Sequence, residues 1–230
     1  MGLGDNGGVP VALPPSAWRF DPAQWPGDED CVAIGADTSP STILAAYAAG
    51  AFPMPGGDFT PMLWWSPVRR GVLELDDLVV SRSLRQARRR FEIRVDTAFV
   101  EVIEACADRR RPGAWINTEI LERYCALHQL GWAHSVEAWS DGELAGGLYG
   151  IALGGLFAGE SMFHRRRDAS KVALCGLVEL LRDEYGAERL IDVQWQTDHL
   201  ASLGVREIDR SVYLRRLSHL LDVPLPATWA

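Results

Sequence analysis

The chain has 230 residues, 47% of them hydrophobic, and its 31 acidic and 23 basic residues give a formal net charge of −8. This length suits one sizeable core, or a main domain with a small appendage, and the acidic balance argues against a general nucleic-acid binder. The sequence shows no uninterrupted apolar run of about 18 residues and no secretion-type leader. We therefore expect a cytoplasmic protein that does not enter a membrane.

The first clear element in chain order is a short helix, which follows a Gly- and Pro-rich segment over residues 1–30. Ser39 caps this helix, Pro40 occupies its first position and Gly50 suits its left-handed end. A loop dense in proline, glycine and aromatic residues follows over residues 52–67. Such a loop is typical of a domain boundary.

We place that boundary between a small N-terminal domain, residues 1–66, and a main domain, residues 67–230. Within the main domain, strands are predicted at 72–75, 92–95, 133–140, 143–153, 156–161 and 189–196. Helices are predicted at 82–90, 97–107, 118–130 and 169–185, and two short helices end the chain. The expected fold is α/β (α+β), a mixed sheet that is antiparallel in its middle and flanked by helices.

Finer expectations concern three of these helices. In helix 97–107, Val100, Ile103 and Cys106 are predicted to share a buried face. Asn117 or Thr118 caps the next helix, and Gly186 is expected to end the helix that begins after Asp168. The four cysteines and five histidines show no disulfide-framework or zinc-site spacing, so we expect free, buried thiols and no metal.

The strand IDVQWQ carries the first candidate chemistry. Residues two apart share a face of a strand, so Asp192, Gln194 and Gln196 are predicted to point one way, and the apolar residues between them, with Trp195, the other. A carboxylate and an amide on one side of a central strand are costly without partners, which indicates a cleft. A half-exposed sheet with one wet face is the alternative.

Two further features suit a phosphate-bearing ligand. Arg165 to Arg167 precede a helix start, where free N–H groups and positive charge favour anions. The aromatic residues Trp64, Trp65 and Trp115 are of the type on which bases stack. An exposed loop and ordinary core packing are the respective alternatives. Glu160 with Ser161 is a poor nucleophile pair, because no GxSxG elbow surrounds the serine.

Several long blocks occur in order along the chain: VAIGADTSPSTILAAYAAGAFP, WWSPVRRGVL, WINTEILERYCALHQLGWAHSVEAW, GELAGGLYGIALGGLFAGESMF, DASKVAL and IDVQWQTDHLASLGV. With these blocks the sequence resembles the leucyl/phenylalanyl-tRNA–protein transferase family over nearly its whole length. The resemblance implies a main domain of the GNAT-like acyltransferase type and a small N-terminal domain. It also implies transfer of Leu or Phe, sometimes Met, from aminoacyl-tRNA to the α-amine of proteins with N-terminal Arg or Lys, which marks them for degradation. No metal or other cofactor is implied, and we expect a monomer.

The resemblance also implies roles by position. Asp192 and Gln194 match the acid and the amide that act at the reacting amine and carbonyl. The acid, Asp192, is expected to act either as a base or as a residue that orients the others. The amino-acid pocket is implied at Leu148, Phe157, Glu160, Leu177, Ile191 and Thr197. Contacts to the tRNA 3′-adenosine are implied at Trp115 and Met54, with Trp64 and Ser161 beside them. Contacts to the tRNA backbone are expected at Arg82, Arg85, Arg89, Arg165 and Arg166.

Two departures from the family pattern matter. Met54 stands where the family often has tryptophan, so we expect an adenosine pocket that is looser, or filled by Trp64 or Trp65. Leu177 stands where phenylalanine also occurs in the family, which is expected to widen the amino-acid pocket.

Two other functions are weighed against this one. An acyl-CoA-dependent N-acetyltransferase on the same fold has a glycine-rich pyrophosphate loop, Q/RxxGxG/A, but this chain has SMFHRRRDASK there. A non-catalytic tRNA-binding module needs no Asp–Gln pair facing a pocket.

Overall fold

The computed structural model describes residues 9–57, 61–111 and 113–230. Residues 1–8 of the predicted N-terminal loop and 58–60 of the aromatic-rich loop lie outside the described residues. Strands β1 (Cys31–Ile34), β2 (Phe52–Pro53) and β3 (Leu63–Trp65) form a small antiparallel sheet in the order β1-β3-β2. The predicted domain boundary at residue 66 follows this sheet directly and stays a prediction.

Helix α1 (Pro40–Ala49) packs beside this small sheet, and its predicted ends are confirmed. The Ser39 side chain accepts a hydrogen bond from the Thr42 N–H, as an N-cap does. Gly50 adopts the left-handed φ of 93° that ends the helix, and its N–H bonds back to Ala46 and Tyr47.

The main sheet has seven strands in the order β10-β4-β9-β8-β7-β6-β5. Their bounds are β4 Arg69–Leu73, β5 Glu92–Val95, β6 Ala133–Ser140, β7 Glu143–Leu153, β8 Leu156–His164, β9 Leu190–Gln194 and β10 Arg206–Asp209. The pair β8–β9 is parallel and the other neighbours are antiparallel. The predicted mixed α/β sheet flanked by helices is confirmed; strands β6, β7 and β8 form the antiparallel part that was expected, and the parallel pair β8–β9 lies near the middle of the strand order.

Six helices accompany the main sheet: α2 Arg82–Arg88, α3 Phe99–Cys106, α4 Thr118–Gln129, α5 Ala169–Leu181, α6 Asp198–Ala201 and α7 Arg210–Leu220. Helix α5 packs on β6, β7 and β8, and α3 packs on the same three strands. The residues of β7 divide between two hydrophobic clusters, with Tyr149 and Ile151 on the α3 side and Leu148 and Ala152 on the α5 side. The predicted strand β7 is therefore covered on both faces.

The buried face of α3 differs from the predicted one, and the structure decides between the two candidate caps of α4. Val100 is 52% exposed, because α3 buries Phe99, Val102, Ile103 and Cys106 instead, residues spaced i, i+3, i+4 and i+7. Of the two candidate caps for α4, Asn117 is the one that accepts the Ile120 N–H.

Helix α5 ends at Leu181 rather than at Gly186, which instead begins a short 3-10 turn. The backbone leaves the helix at Arg182, whose guanidinium binds the Leu75 carbonyl. Edge strand β10 was not predicted from the sequence, since its four residues are mostly polar and exposed.

The four cysteines are free, as predicted. The expected burial is confirmed for Cys106 and Cys175 and is wrong for Cys31 and Cys125, which are half-buried. None of the helices in the described ranges has both the length and the apolar character that crossing a membrane requires.

Candidate active site

The Asp192 carboxylate lies at the centre of the sheet in a fully paired cluster. Arg70 Nε and Nη2 donate to its two oxygens at 2.8 and 2.5 Å, and the Tyr213 hydroxyl donates to it at 2.9 Å. Asp192 is 0% and Arg70 1% exposed. Burial alone would lower the pKa of Arg70, but Asp192 raises it above its ordinary value. The pair is a buried ion pair between β4 and β9.

The backbone turns sharply just after Asp192. Gly71 pairs with Gln194 and Val72 with Asp192, so Val193 is an extra residue in β9, a β-bulge. Gln194 has a left-handed φ of 61°, and the Trp195 N–H donates to the Val193 carbonyl at 2.8 Å, closing a three-residue turn. The Gln194 N–H donates to Asp192 Oδ1 at 2.9 Å. Asp192 thus holds the backbone of the turn that carries Gln194.

Gly71 gives this turn the room it needs. A Cβ atom at Gly71 would lie 2.8 Å from the Trp195 carbonyl carbon and 2.8 Å from the Gln196 nitrogen. Both neighbours are backbone atoms that cannot rotate away, so only glycine fits opposite the turn.

The turn also overturns the predicted alternation of side chains along IDVQWQ. Trp195 was expected on the same face as Ile191, but it packs against Phe52 and Trp65, at ring distances of 5.1 and 5.9 Å. Its indole N–H donates to Asp30 at 2.9 Å. The left-handed residue at 194 reverses the two-residue period on which the expectation rested.

Glu160 occupies a second β-bulge, on the neighbouring strand β8. Tyr149 pairs with Ser161 and Gly150 with Gly159, so Glu160 is the extra residue. A Cβ atom at Gly150 would lie 2.2 Å from the Ala158 carbonyl oxygen, which again requires glycine opposite the bulge. No local pattern in the sequence indicated either bulge.

Glu160 and Gln194 meet across the gap between their strands. Gln194 Nε2 donates to Glu160 Oε1 at 3.0 Å, and the Tyr124 hydroxyl donates to Oε2 at 3.1 Å. Tyr124 in turn lies 2.6 Å from the Tyr47 hydroxyl. Burial raises the pKa of Glu160 to about 7, the two tyrosine hydroxyls oppose this increase, and Asp192 adds to it.

An apolar cavity of about 150 Å³ opens beside these two residues. Hydrogen bonding between β8 and β9 ends at Ala158 and Asp192, and the cavity lies beyond that point, where the strands are no longer paired. It is lined by Leu148, Phe157, Gly159, Glu160, Ser161, Met162, Leu174, Leu177, Ile191, Val193, Gln194 and Leu200.

The structure brings together most of the predicted amino-acid pocket. Leu148, Phe157, Glu160, Leu177 and Ile191 line the cavity, and so does Ser161, which was expected near the adenosine. Thr197 is not among the lining residues; its hydroxyl caps α6 by accepting the Leu200 N–H at 3.2 Å. Sequence reasoning missed Leu174, although it lies one helical turn before Leu177 on the same face of α5.

The candidate adenosine contacts separate into two groups. Trp64 is 0% exposed, packs against Phe20 at 4.8 Å and donates to the Gly35 carbonyl at 2.6 Å, so its ring has no free face for a base. That expectation was wrong. Met54, Trp65 and Trp115 are half-buried, and the Trp65 indole N–H donates to the Met54 carbonyl at 2.9 Å.

The candidate backbone arginines also separate. Arg82 and Arg85 on α2, and Arg89 at its C-terminal end, are exposed and form no ion pair with the described residues. Arg165 instead pairs with Glu101 at 2.6 Å, and Arg166 with Asp141 at 2.6 Å. Three or more His, Cys, Asp or Glu side chains arranged to hold a metal are not found in the described ranges.

Comparison with known proteins gives consistent matches. Two family models match, one described as leucyl/phenylalanyl-tRNA protein transferase over residues 72–218, and one for the N-terminal domain of that protein over residues 36–68. A protein of Chromobacterium violaceum named leucyl/phenylalanyl-tRNA–protein transferase is 51% identical over 199 residues, covering 85% of this chain and 84% of that protein.

A protein of the same name from Oleidesulfovibrio alaskensis is 48% identical over 219 residues, covering 91% of this chain and 87% of the relative. Among solved structures, that of L-PGS from Bacillus licheniformis is 11% identical, with a TM-score of 0.38 over 66% of this chain and 64% of the other.

Proposed function

The chain belongs to the leucyl/phenylalanyl-tRNA–protein transferase family, and from this premise we propose that it moves leucine or phenylalanine from aminoacyl-tRNA to proteins that begin with arginine or lysine. The acceptor's α-amine attacks the carbonyl carbon of the ester, and the bond from that carbon to the tRNA 3′ oxygen breaks. The amine loses a proton and the 3′ oxygen gains one. The lengthened protein is thereby marked for degradation.

The observation that carries this proposal is the apolar cavity that ends at two polar residues. A dry cavity of about 150 Å³ lined by Leu, Ile and Phe side chains is large enough for a benzene ring. The cavity beside Gln194 has this volume, with Leu148, Phe157 and Ile191 in its walls. It therefore suits the side chain of phenylalanine or leucine, with the ester placed at the polar end.

Gln194 is the residue that we assign to the reacting amine. Because its Nε2 donates to Glu160, its Oε1 remains to accept an N–H bond from the attacking amine. An α-amine has a pKa of about 7.7–8.0, so a useful fraction is neutral near pH 7. The ester is already activated, and the main requirement is alignment of the amine with the carbonyl.

Asp192 is better assigned as a positioning residue than as a general base. Its oxygens accept from Arg70, Tyr213 and the Gln194 N–H, and it has no exposed surface. A general base must come within hydrogen-bond reach of the proton that it removes. Asp192 instead fixes the left-handed turn at Gln194.

Helix α2 is the surface that we assign to the tRNA backbone. Arg82, Arg85 and Arg89 have exposed guanidinium groups without acidic partners in the described ranges, whereas phosphate has to compete with Glu101 and Asp141 for Arg165 and Arg166. The chain's net charge of −8 favours the approach of an acceptor with a cationic first residue.

A salt-dependence measurement tests this assignment. The log of the tRNA binding constant falls with the log of salt concentration in proportion to the phosphates contacted. Arg85→Ala and Arg89→Ala are expected to reduce this slope by about 1 each, and Arg166→Ala is expected to leave it nearly unchanged. Equal reductions from the three variants would contradict the choice of α2.

The proposed function itself is tested with labelled Phe-tRNA or Leu-tRNA and a peptide that begins with arginine. Label is expected to move to the peptide N-terminus, and Gln194→Ala is expected to lower kcat/KM about 100-fold. Gln24→Ala, which removes an exposed glutamine of the N-terminal segment, is the matched control. Acetylation of the same peptide by acetyl-CoA, without transfer from either tRNA, would replace this function by N-acetyl transfer.

A further inference from the structure

A chain of four hydrogen-bonding side chains connects the N-terminal helix α1 with the active-site turn. Tyr47 lies on α1, Tyr124 on α4, Glu160 on β8 and Gln194 on β9. The successive distances are 2.6, 3.1 and 3.0 Å. Tyr47 is 1% and Tyr124 0% exposed, so both hydroxyls are held in the interior by the packing of their helices.

The direction of each hydrogen bond follows from what the groups can donate. An ionised carboxylate only accepts, so Tyr124 gives its single proton to Glu160 and accepts one from Tyr47. Burial raises the pKa of both tyrosines well above the ordinary value, so neither loses its proton near neutral pH. Gln194 must turn its NH₂ group toward the remaining carboxylate oxygen.

We propose that Tyr47 and Tyr124 are positioning residues of the transfer step, which hold Glu160 as an acceptor and thereby keep the carbonyl end of the Gln194 amide turned toward the attacking amine. This inference rests on the proposed function. It assigns a task at the reacting centre to α1, a helix that contributes no residue to the lining of the cavity.

The alternative state of the chain is set by the protonation of Glu160. A neutral carboxyl group has an O–H that needs an acceptor, and the Gln194 amide beside it can supply its carbonyl oxygen. An amide turned to meet it would present NH₂ to an incoming amine, whose only acceptor is the lone pair that has to attack the ester carbonyl. Transfer is therefore expected to require ionised Glu160.

The charged and titratable groups around Glu160 explain why this balance is close. Tyr124 stabilises the ionised form by donating to it, the Tyr47 hydroxyl also lowers the Glu160 pKa, and Arg70 acts in the same direction by its charge. Burial and the Asp192 charge oppose ionisation, so the pKa lies at about 7. Tyr149, on β7, faces the same region, but its hydroxyl finds no hydrogen-bond partner in the described part of the chain.

The test is the pH profile of kcat for Phe transfer at saturating donor and acceptor, for wild type, Tyr124→Phe and Tyr47→Phe. Losing a hydrogen bond to a charged group is expected to move the Glu160 limb of the Tyr124→Phe profile up by about one pH unit. The kcat at about pH 7 then falls several-fold and recovers toward the wild-type value at about pH 9, while the acceptor KM changes little. Tyr47→Phe is expected to give a shift in the same direction, because the Tyr47 hydroxyl hydrogen-bonds to Tyr124 and also lowers the Glu160 pKa.

Tyr149→Phe is the matched control, since it removes a buried hydroxyl that has no partner and packs against Tyr124 at 5.6 Å. Its profile is expected to superimpose on that of wild type. The limb due to the acceptor amine belongs to the peptide and stays in place in every variant, and Glu160→Gln retains only that limb.

A kcat loss of the same factor at every pH in Tyr124→Phe and Tyr47→Phe would assign both tyrosines a purely structural role and overturn the inference. Unchanged profiles in both variants would overturn it as well. If Tyr124→Phe fails to fold, Tyr47→Phe alone decides between these outcomes. A wild-type chain that moves no label overturns the proposed function, and this inference with it, whereas normal wild-type transfer with either variant result above overturns the inference alone.

Discussion

Asp192 and Glu160 are carboxylates on neighbouring strands of one sheet, and their surroundings differ in kind. Asp192 faces a guanidinium that donates twice to it, with the Tyr213 hydroxyl as a third donor. Glu160 has two neutral partners, the Gln194 amide and the Tyr124 hydroxyl. The first carboxylate is hydrogen-bonded to a full opposite charge, whereas the second is hydrogen-bonded to neutral groups, and burial raises its pKa to about 7.

The two carboxylates therefore have different tasks: Asp192 fixes the backbone, whereas Glu160 changes its hydrogen bonding with its protonation. Arg70 and Tyr213 hold the Asp192 carboxylate in one geometry, and Asp192 in turn fixes the backbone at Gln194. A carboxyl group whose pKa lies near neutrality changes its hydrogen-bonding role with small changes around it. Gln194 hydrogen-bonds to both carboxylates, through its backbone N–H to Asp192 and through its side-chain amide to Glu160. Four substitutions are expected to break or sharpen this contrast.

Asp192→Ala is expected to have the largest effect, because it leaves the buried Arg70 charge without a partner. Breaking a buried ion pair on one side costs about 3–5 kcal/mol of unfolding free energy, measured by urea denaturation, and transfer is expected to be lost as well. The control is Asp209→Ala, which removes an exposed partner of Arg69 and is expected to cost less than about 1 kcal/mol. Equal losses in the two variants would contradict the account of Asp192 as the fixed member.

Gly71→Ala tests the turn at Gln194, which connects the surroundings of Asp192 with those of Glu160, without changing a polar side chain. The added methyl group would collide with the backbone of residues 195 and 196, so the turn at Gln194 has to shift. A displacement of about 1 Å at a reacting group lowers turnover about 100-fold, and we expect a kcat loss of that order in a chain that still folds. Gly27→Ala, where the new methyl group meets nothing within 4 Å, is expected to retain full activity.

Features set by neighbouring residues could be predicted from the sequence, whereas features set by contacts between different strands could not. The ends of α1, β5, β6 and β7 were predicted correctly, because caps and turns such as Asp141-Gly142 are local signals. The bulges at Glu160 and Val193 were not predicted, because each depends on a glycine in a partner strand, Gly150 or Gly71, and the sequence alone does not give the register that places the two opposite each other. Five cavity residues were named from the family resemblance, and Trp195 was misplaced because no local pattern reveals a left-handed glutamine.

Glu160→Gln sharpens the contrast through stability rather than activity. A carboxyl group with a raised folded-state pKa stabilises the fold below its unfolded pKa of about 4.5 and loses that contribution as pH rises through about 7. The glutamine variant has no such loss, so above pH 7 it is expected to be more stable than wild type by on the order of 3 kcal/mol. Below about pH 4.5 this advantage is expected to disappear.

Urea denaturation at about pH 4.5 and pH 8 measures this dependence. Glu137→Gln is the contrasting control, since Glu137 is buried but accepts hydrogen bonds from Ser135 and from the Thr97 and Ala98 N–H groups. An amide that turns its NH₂ toward such donors destabilises the fold. A Glu160→Gln variant with the same pH dependence as wild type would show that Glu160 titrates at an ordinary pKa.

Leu177→Phe has the smallest expected effect and concerns the apolar wall opposite Glu160. Leu177 lines the cavity from α5, and a phenylalanine there would occupy space that the bound amino-acid side chain otherwise fills. An apolar pocket discriminates about tenfold or more for each methylene that it gains or loses, so we expect kcat/KM for Phe-tRNA to fall about tenfold relative to that for Leu-tRNA. Leu180→Phe, on the same helix but outside the cavity lining, is expected to leave this ratio unchanged.

Because Gln194 and Glu160 are untouched, the pH profile of Leu transfer by Leu177→Phe is expected to stay that of wild type. A shifted profile would mean that the apolar wall and the polar end of the cavity do not act independently.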